Sequence, residues 1–224
     1  MRNPWFGIYI LLVLLSITVF FFLFSLFPTR TVTFTDTWEE ETTPKVSDDD
    51  PVLGEAPRTW FWTTPPTKVV FIFYGDFTSD SSAKTLSSLL KIYDDLADEM
   101  TIVWKNFPNP TINLESLPSA VAAECANNQN KFWEYARLLS ENRRLAGTEL
   151  YQEIADDLRL SSWKFKRCLS SKKTLEQIEN DYNEALGLEI STAPSIYVAG
   201  KWYTGELSET EIRSIMLDIK NAPK

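Results

Sequence analysis

The chain has 224 residues, 44% of them hydrophobic and 24% charged, with a net charge of −9 and no histidine. That length holds one ordinary domain plus an extension, and the acidic balance excludes nucleic acid, whose binding needs a basic footprint to displace phosphate counterions. The missing histidine removes Ser-His and Cys-His pairs and imidazole ligands, and two cysteines, Cys125 and Cys168, are too few for a thiolate metal site, so no metal and no cofactor are expected.

Trp5 to Phe27 is a run of 23 residues without a charge. As a helix rising 1.5 Å per residue it is about 35 Å long, enough to cross a hydrocarbon core of about 30 Å. Residues 1–27 are therefore predicted to form a transmembrane signal-anchor. A cleaved signal peptide is the alternative, but its apolar core is usually only about 7–15 residues and no A-x-A-like site follows here. Arg2 and the α-amino group precede the span while Arg30 follows it. By a narrow margin the positive-inside rule keeps the N-terminus cytoplasmic and sends the rest across. Residues 28–49 are rich in Thr and acidic side chains, have no helical period, and read as a disordered, self-repelling stalk.

Residues 50–224 carry the fold. Thr67 to Gly75 reads as a buried strand, and Ser81 to Met100 as a helix with Leu86, Leu89, Leu90, Tyr93 and Leu96 in one stripe. A second strand, Met100 to Phe107, is closed by Pro108 and Pro110. Strand–helix–strand of this kind implies parallel pairing through a right-handed crossover. Helices are predicted over 119–142, 148–158, 161–169 and 173–186, with Gly147 closing one helix and Thr148 capping the next. Pro194 to Gly205 reads as a β-hairpin turning at Ala199-Gly200, and Ser208 to Glu211, "SETE", as the capping box of a last helix.

The stretch "FIFYGDFTSDSSAK", Phe71 to Lys84, ends a strand in Gly-Asp-Phe and opens a helix, with Ser79 or Asp80 placed to cap it. Together with "DPVLG" at Asp50 to Gly54, "FPNP" at Phe107 to Pro110, "AAECANNQNKFWEYARLLSEN" and "APSIYVAGKWYTG", it resembles the DsbA-like family of extracytoplasmic thiol oxidoreductases. The resemblance implies an α/β, thioredoxin-like fold with a helical insertion at about 116–187. It puts Ser79, Asp80, Ser81 and Ser82 where the family has its Cys-x-x-Cys motif, with serine at both cysteine positions and Asp80 in place of proline. It further implies a cis bond between Ala193 and Pro194, leaving the Ala193 backbone open to an extended peptide. It also implies a structural disulfide between Cys125 and Cys168 in an oxidising compartment, where the residues alone allow two buried thiols as well. A bacterial cell-membrane protein with its domain on the extracytoplasmic side is the setting implied.

Thiol exchange requires a thiolate, and a serine hydroxyl has neither the accessible anion nor the S–S chemistry. A serine nucleophile lacks a histidine base, and Lys84 is the nearest lysine in sequence. No catalytic residue is expected. The leading expectation is a membrane-anchored thioredoxin-fold protein without redox-active cysteines, serving as a chaperone- or scaffold-like module for an extended or unfolded peptide or an envelope protein. The alternative is a thiol-disulfide oxidoreductase, by descent or through Cys125 and Cys168.

Overall fold

A computed structural model describes residues 69–221. The predicted span at 1–27, the stalk at 28–49 and the chain up to residue 68 lie outside the described residues. Among the described residues, no helix is long and apolar enough to cross a membrane.

Strand β1 (Val69–Gly75) alternates its faces, so that Phe71 and Phe73 enter one hydrophobic cluster while Ile72 and Tyr74 enter another. Strand β2 (Met100–Asn106) runs parallel to it, with Val69 opposite Met100 and Gly75 opposite Asn106. Helix α1 (Asp80–Leu96) makes the crossover and buries Leu86, Leu89, Leu90 and Tyr93, ending four residues before the predicted limit because Met100 belongs to β2. Strands β3 (Ser195–Val198) and β4 (Lys201–Thr204) complete a sheet of order β2-β1-β3-β4, with β3 antiparallel to β1. Their turn places Ala199 and Gly200 at φ of 49° and 78°. Two successive left-handed residues make the type I′ geometry that matches the twist of a hairpin.

Five helices fill the interval between β2 and β3: α2 (Ser116–Asn127), α3 (Phe132–Glu141), α4 (Thr148–Asp157), α5 (Ser162–Cys168) and α6 (Lys172–Gly187). Helix α7 (Glu209–Asn221) follows the hairpin. Its Ile212, Ile215 and Met216 join the cluster of α1, whereas Ala185 of α6 covers the other sheet face with Ile72, Val103, Phe107 and Ile190. The capping box forms as read: the Ser208 N–H donates to Glu211 Oε2 at 2.8 Å and the Glu211 N–H to Ser208 Oγ at 3.3 Å.

The predicted helix 119–142 is two helices. Asn130 sits at φ 58°, the Lys131 N–H returns to Ala126 O at 3.0 Å and the Asn130 N–H to Asn127 O at 2.9 Å. That is a Schellman ending, in which the left-handed residue lets two late N–H groups meet otherwise orphaned carbonyls. Helix α4 ends the same way at Arg159, with Leu160 bonded to Ala155 O, and α6 at Glu189, with Ile190 bonded to Ala185 O. A chain with seven glycines uses Asn, Arg and Glu for these turns. Gly147, read as a closing glycine, instead holds the cap position of α4, behind a short 3-10 turn at Arg143–Leu145.

Gly75 is required by a close approach. A Cβ there would lie 2.4 Å from the indole of Trp104. That ring cannot yield, being stacked on Phe77 at 4.3 Å and edge-on to Phe73 at 5.0 Å. Gly75→Ala is expected to lower stability by about 1–3 kcal/mol, the usual cost of overpacking, as measured by urea denaturation. Adding Trp104→Phe should recover part of it; a strictly additive double variant would contradict the contact.

Candidate functional site

The turn between β1 and α1 is organised by Asp76, a nearly buried carboxylate. Its Oδ1 accepts the Thr78 N–H and the Thr78 hydroxyl, both at 2.8 Å. Its Oδ2 accepts the Ser116 hydroxyl at 2.6 Å and the Asn109 N–H at 3.1 Å. The carboxylate thereby joins the start of α1, the loop after β2 and the start of α2. The same loop is tied to β1 by the Phe107 N–H on Gly75 O at 2.9 Å.

Ser79 is the N-cap of α1. It has extended backbone angles, and its Oγ accepts the Ser82 N–H at 3.2 Å. Ser82 is buried and its Oγ accepts the Asp76 N–H at 3.3 Å. Ser81 is half-buried and Asp80 exposed in the first turn. Arg143, from the 3-10 turn, reaches across to Asp80 at 2.5 Å and also donates to Ser140 O at 3.1 Å, pinning the insertion over the helix start. The guanidinium beside Asp80 holds its carboxyl below the ordinary range, first by hydrogen bonding and then by charge, with Arg144 and Lys84 adding to it. Thr78, Asp80, Asn113, Glu115, Arg143 and Arg144 border a pocket of about 230 Å³ here.

The Ala193–Pro194 bond is cis. Register places Ser195 opposite Tyr74, so Ala193 and Pro194 lie level with the end of β1, where the Asp76 turn departs for α1. Pro194 is buried, Ala193 half-buried, and Pro194 O accepts the Gly205 N–H at 2.9 Å.

Cys125 and Cys168 are joined by a disulfide between α2 and α5, with Cα atoms 5.6 Å apart. Cys125 is fully buried, whereas Cys168 is half-buried beside the Asn128 amide and the Thr174 hydroxyl, both 3.4 Å from its sulfur. The disulfide lies within the insertion and takes no part in the hydrogen bonds of the α1 turn.

A second polar centre lies on the opposite sheet face. Lys105 is buried in β2 and pairs with Glu184 at 2.8 Å and Asp181 at 3.7 Å, both on α6. Glu184 also accepts the Tyr74 hydroxyl at 2.6 Å. Burial, and then this carboxylate, push the Tyr74 phenol well above its ordinary range, so it stays neutral. The Asn106 N–H and side-chain amide donate to Asp181, and the amide also to Glu124 at 2.7 Å.

A family profile described as Thioredoxin matches residues 59–218. The chain belongs to the thioredoxin family. Its fold is DsbA-like: it is similar to α-DsbA1 of Wolbachia pipientis with a TM-score of 0.63 and 18% identity, over 73% of this chain and 92% of that one. It is likewise similar to oxidised BdbD of Bacillus subtilis, with a TM-score of 0.60 and 20% identity over 69% of this chain and 89% of that one. Among curated sequences it is 22% identical over 143 residues to the Na(+)/H(+) antiporter NhaA 1 of Mycolicibacterium gilvum, covering 63% of this chain and 23% of the antiporter. The chain thus spans less than a quarter of the length of the curated relatives it matches.

In this thioredoxin-family domain, the sequence reading reached Ser79 and Pro194 but not Asp76, Arg143 or Lys105. The one available signal was a charged residue, Lys105, within the predicted second strand, β2. Among the described residues, no group of three or more Cys, Asp or Glu side chains is placed to hold a metal ion.

Because Arg143 favours the Asp80 anion, their link is complete above the unperturbed carboxyl range and is lost as pH falls through Asp80's lowered folded value. Carbon-13 NMR titration of the Asp80 carboxyl is expected to give a midpoint below about 3.9, the ordinary aspartate value, returning toward it in Arg143→Gln. Equal midpoints in the two proteins would refute the link.

Proposed function

We propose that this is a membrane-anchored, extracytoplasmic thioredoxin-fold protein of bacteria that holds an extended or unfolded segment of an envelope protein and carries out no exchange chemistry at the start of α1. In this reading Ser79 and Ser82 occupy the two cysteine positions of the DsbA-like motif. The observation that carries it is the use of both hydroxyls as acceptors for backbone N–H groups of their own turn. A cap of this kind stabilises a helix by about 1 kcal/mol, and nothing in it supplies a leaving sulfur. In this reading the cis-Pro194 loop, level with the end of β1, is where main-chain hydrogen bonds from Ala193 would give an extended peptide a sequence-tolerant hold. The uncharged run at 5–27 and the antiporter names of the curated relatives support the membrane setting.

A second reading, an oxidoreductase working through Cys125 and Cys168, is favoured by one observation: half-buried Cys168 borders an open cleft. Attack by a client thiolate on Cys168 Sγ would expel the Cys125 thiolate into a site with no solvent exposure, where an anion is poorly solvated. The disulfide therefore reads as structural.

Three measurements on the full-length chain separate the readings. Dithiothreitol-dependent insulin reduction should proceed at the buffer rate; an accelerated rate that Cys125→Ser abolishes would establish the enzyme instead. Replacing both cysteines by serine should lower stability by at most about 4 kcal/mol, the loop-entropy value for a 43-residue separation, seen as a lower urea midpoint. Reduced, carboxymethylated α-lactalbumin, a permanently unfolded probe, should bind saturably, whereas the native protein should not. No binding of the unfolded form would remove the peptide-holding reading.

A further inference from the structure

We infer that the corner where α5 meets α6 is a docking site for the anionic phospholipid headgroups of the membrane that carries the chain. Lys164, Lys166 and Arg167 on α5 and Lys172 and Lys173 on α6 are five of the chain's 22 lysines and arginines, yet they fall within ten residues. No acidic residue stands between Leu160 and Thr174, in a chain whose net charge is −9. All five side chains are exposed. None takes part in the ion pairs of the described residues, whereas Lys84, Arg137, Arg143 and Arg213 are all paired. The flanking acids in sequence are Asp156, already engaged by Gln152 and Ser162, with exposed Asp157 beside it on α4, and Glu176, one turn into α6.

Helix stability accounts for Lys166 and Arg167, which sit in the last turn of α5 where cations complement the macrodipole, but not for the pair that follows. Lys172 and Lys173 open α6, which has no acidic residue in its first turn. A helix start carries partial positive charge, so cations there oppose the macrodipole. Trp163 adds a second kind of group. It is 66% exposed, with the Arg167 guanidinium 5.4 Å from the ring centroid. An amphipathic ring among cations is the composition that settles at a lipid–water interface, where the ring enters the headgroup layer and phosphates take the charge. Trp163, Lys164, Arg167, Gln129 and Ser170 line a cleft of about 570 Å³. The Gln129 side-chain nitrogen is buried and has no partner among the described residues. The cleft is thus rich in donors and cations, and a headgroup phosphate is an anion rich in acceptor oxygens.

The proposal rests on the membrane-anchored reading for proximity alone, and the test separates the two. The full-length chain is reconstituted in vesicles of phosphatidylcholine and of equimolar phosphatidylcholine and phosphatidylglycerol, with and without acyl-brominated lipid. Trp163 emission is taken as the difference between wild type and Trp163→Phe. It is expected to be blue-shifted and bromine-quenched only with phosphatidylglycerol and at low salt. Each of Lys164→Gln, Lys166→Gln and Arg167→Gln should lower the docked fraction relative to the undocked one about fivefold, with circular dichroism unchanged. Inorganic phosphate added to phosphatidylcholine vesicles should not reproduce the shift. Identical difference spectra in both vesicles would overturn the proposal. So would a shift in phosphatidylcholine that deletion of residues 36–50 abolishes, since the chain's own acidic segment would then be the occupant. A chain that fails to float with phosphatidylcholine vesicles counts against the anchor, yet it still meets vesicles from solution. There, selective binding to phosphatidylglycerol supports the patch and equal binding refutes it.

Discussion

The Asp76 carboxylate accepts hydrogen bonds from Thr78, Asn109 and Ser116, which come from three separate pieces of chain, and this convergence sets where α1, the loop after β2 and the helical insertion begin. Hydrogen bonds to a charged acceptor are each worth about 1.5–3 kcal/mol net, and the larger penalty comes from stranding the donors. Two of the donors are backbone N–H groups with fixed directions. With Asp76 held, its own N–H points at Ser82 Oγ, and the Ser82 N–H in turn at Ser79 Oγ. The serines are thus the last links of a chain of hydrogen bonds that starts from a buried charge.

On the other side of the same two strands, Lys105 draws Asp181 and Glu184 of α6 onto β2. Asn106, the next residue, bonds to α6 through Asp181 and to α2 through Glu124. A buried cation left without its partner costs about 3–5 kcal/mol, so polar contacts bind the insertion to the sheet, while the disulfide ties α2 to α5 within the insertion. Both centres lie at the C-terminal ends of β1 and β2, so polar contacts tie that end of the sheet to α2 and α6.

Periodicity was enough to read β1, β2, α1, the hairpin turn and the capping box, because each rests on neighbours within a few residues. Ser79 as a cap was legible for the same reason. The end of α2 was not, and that of α4 was placed within one residue without its turn being recognised. Their Schellman turns use Asn130 and Arg159, where a glycine was the expected signal, and buried Leu160 after the second turn offsets the cost of a left-handed non-glycine. Asp76 was missed because its partners Asn109 and Ser116 lie 33 and 40 residues away. Arg143 was missed because it reaches Asp80 from 63 residues on. Long-range pairs of polar groups leave no period in a sequence.

Stability and reactivity make opposite demands on the first turn of α1. A thiolate there would draw on the helix dipole and on orphan N–H groups for its stabilisation. In this chain those resources are already committed: Ser79 Oγ takes the Ser82 N–H, and Asp80 supplies the negative charge at the helix start. Arg143 then neutralises Asp80, so its cation is spent on a carboxylate fixed in the sequence. A thiolate placed at position 79 alone would inherit the Ser82 N–H, yet it would set a second anion beside Asp80, whose Arg143 partner is already engaged. The residues that secure the helix are the ones that oppose a reactive thiolate, and relieving that opposition would require changing Asp80 and its bond to Arg143 together with the serines.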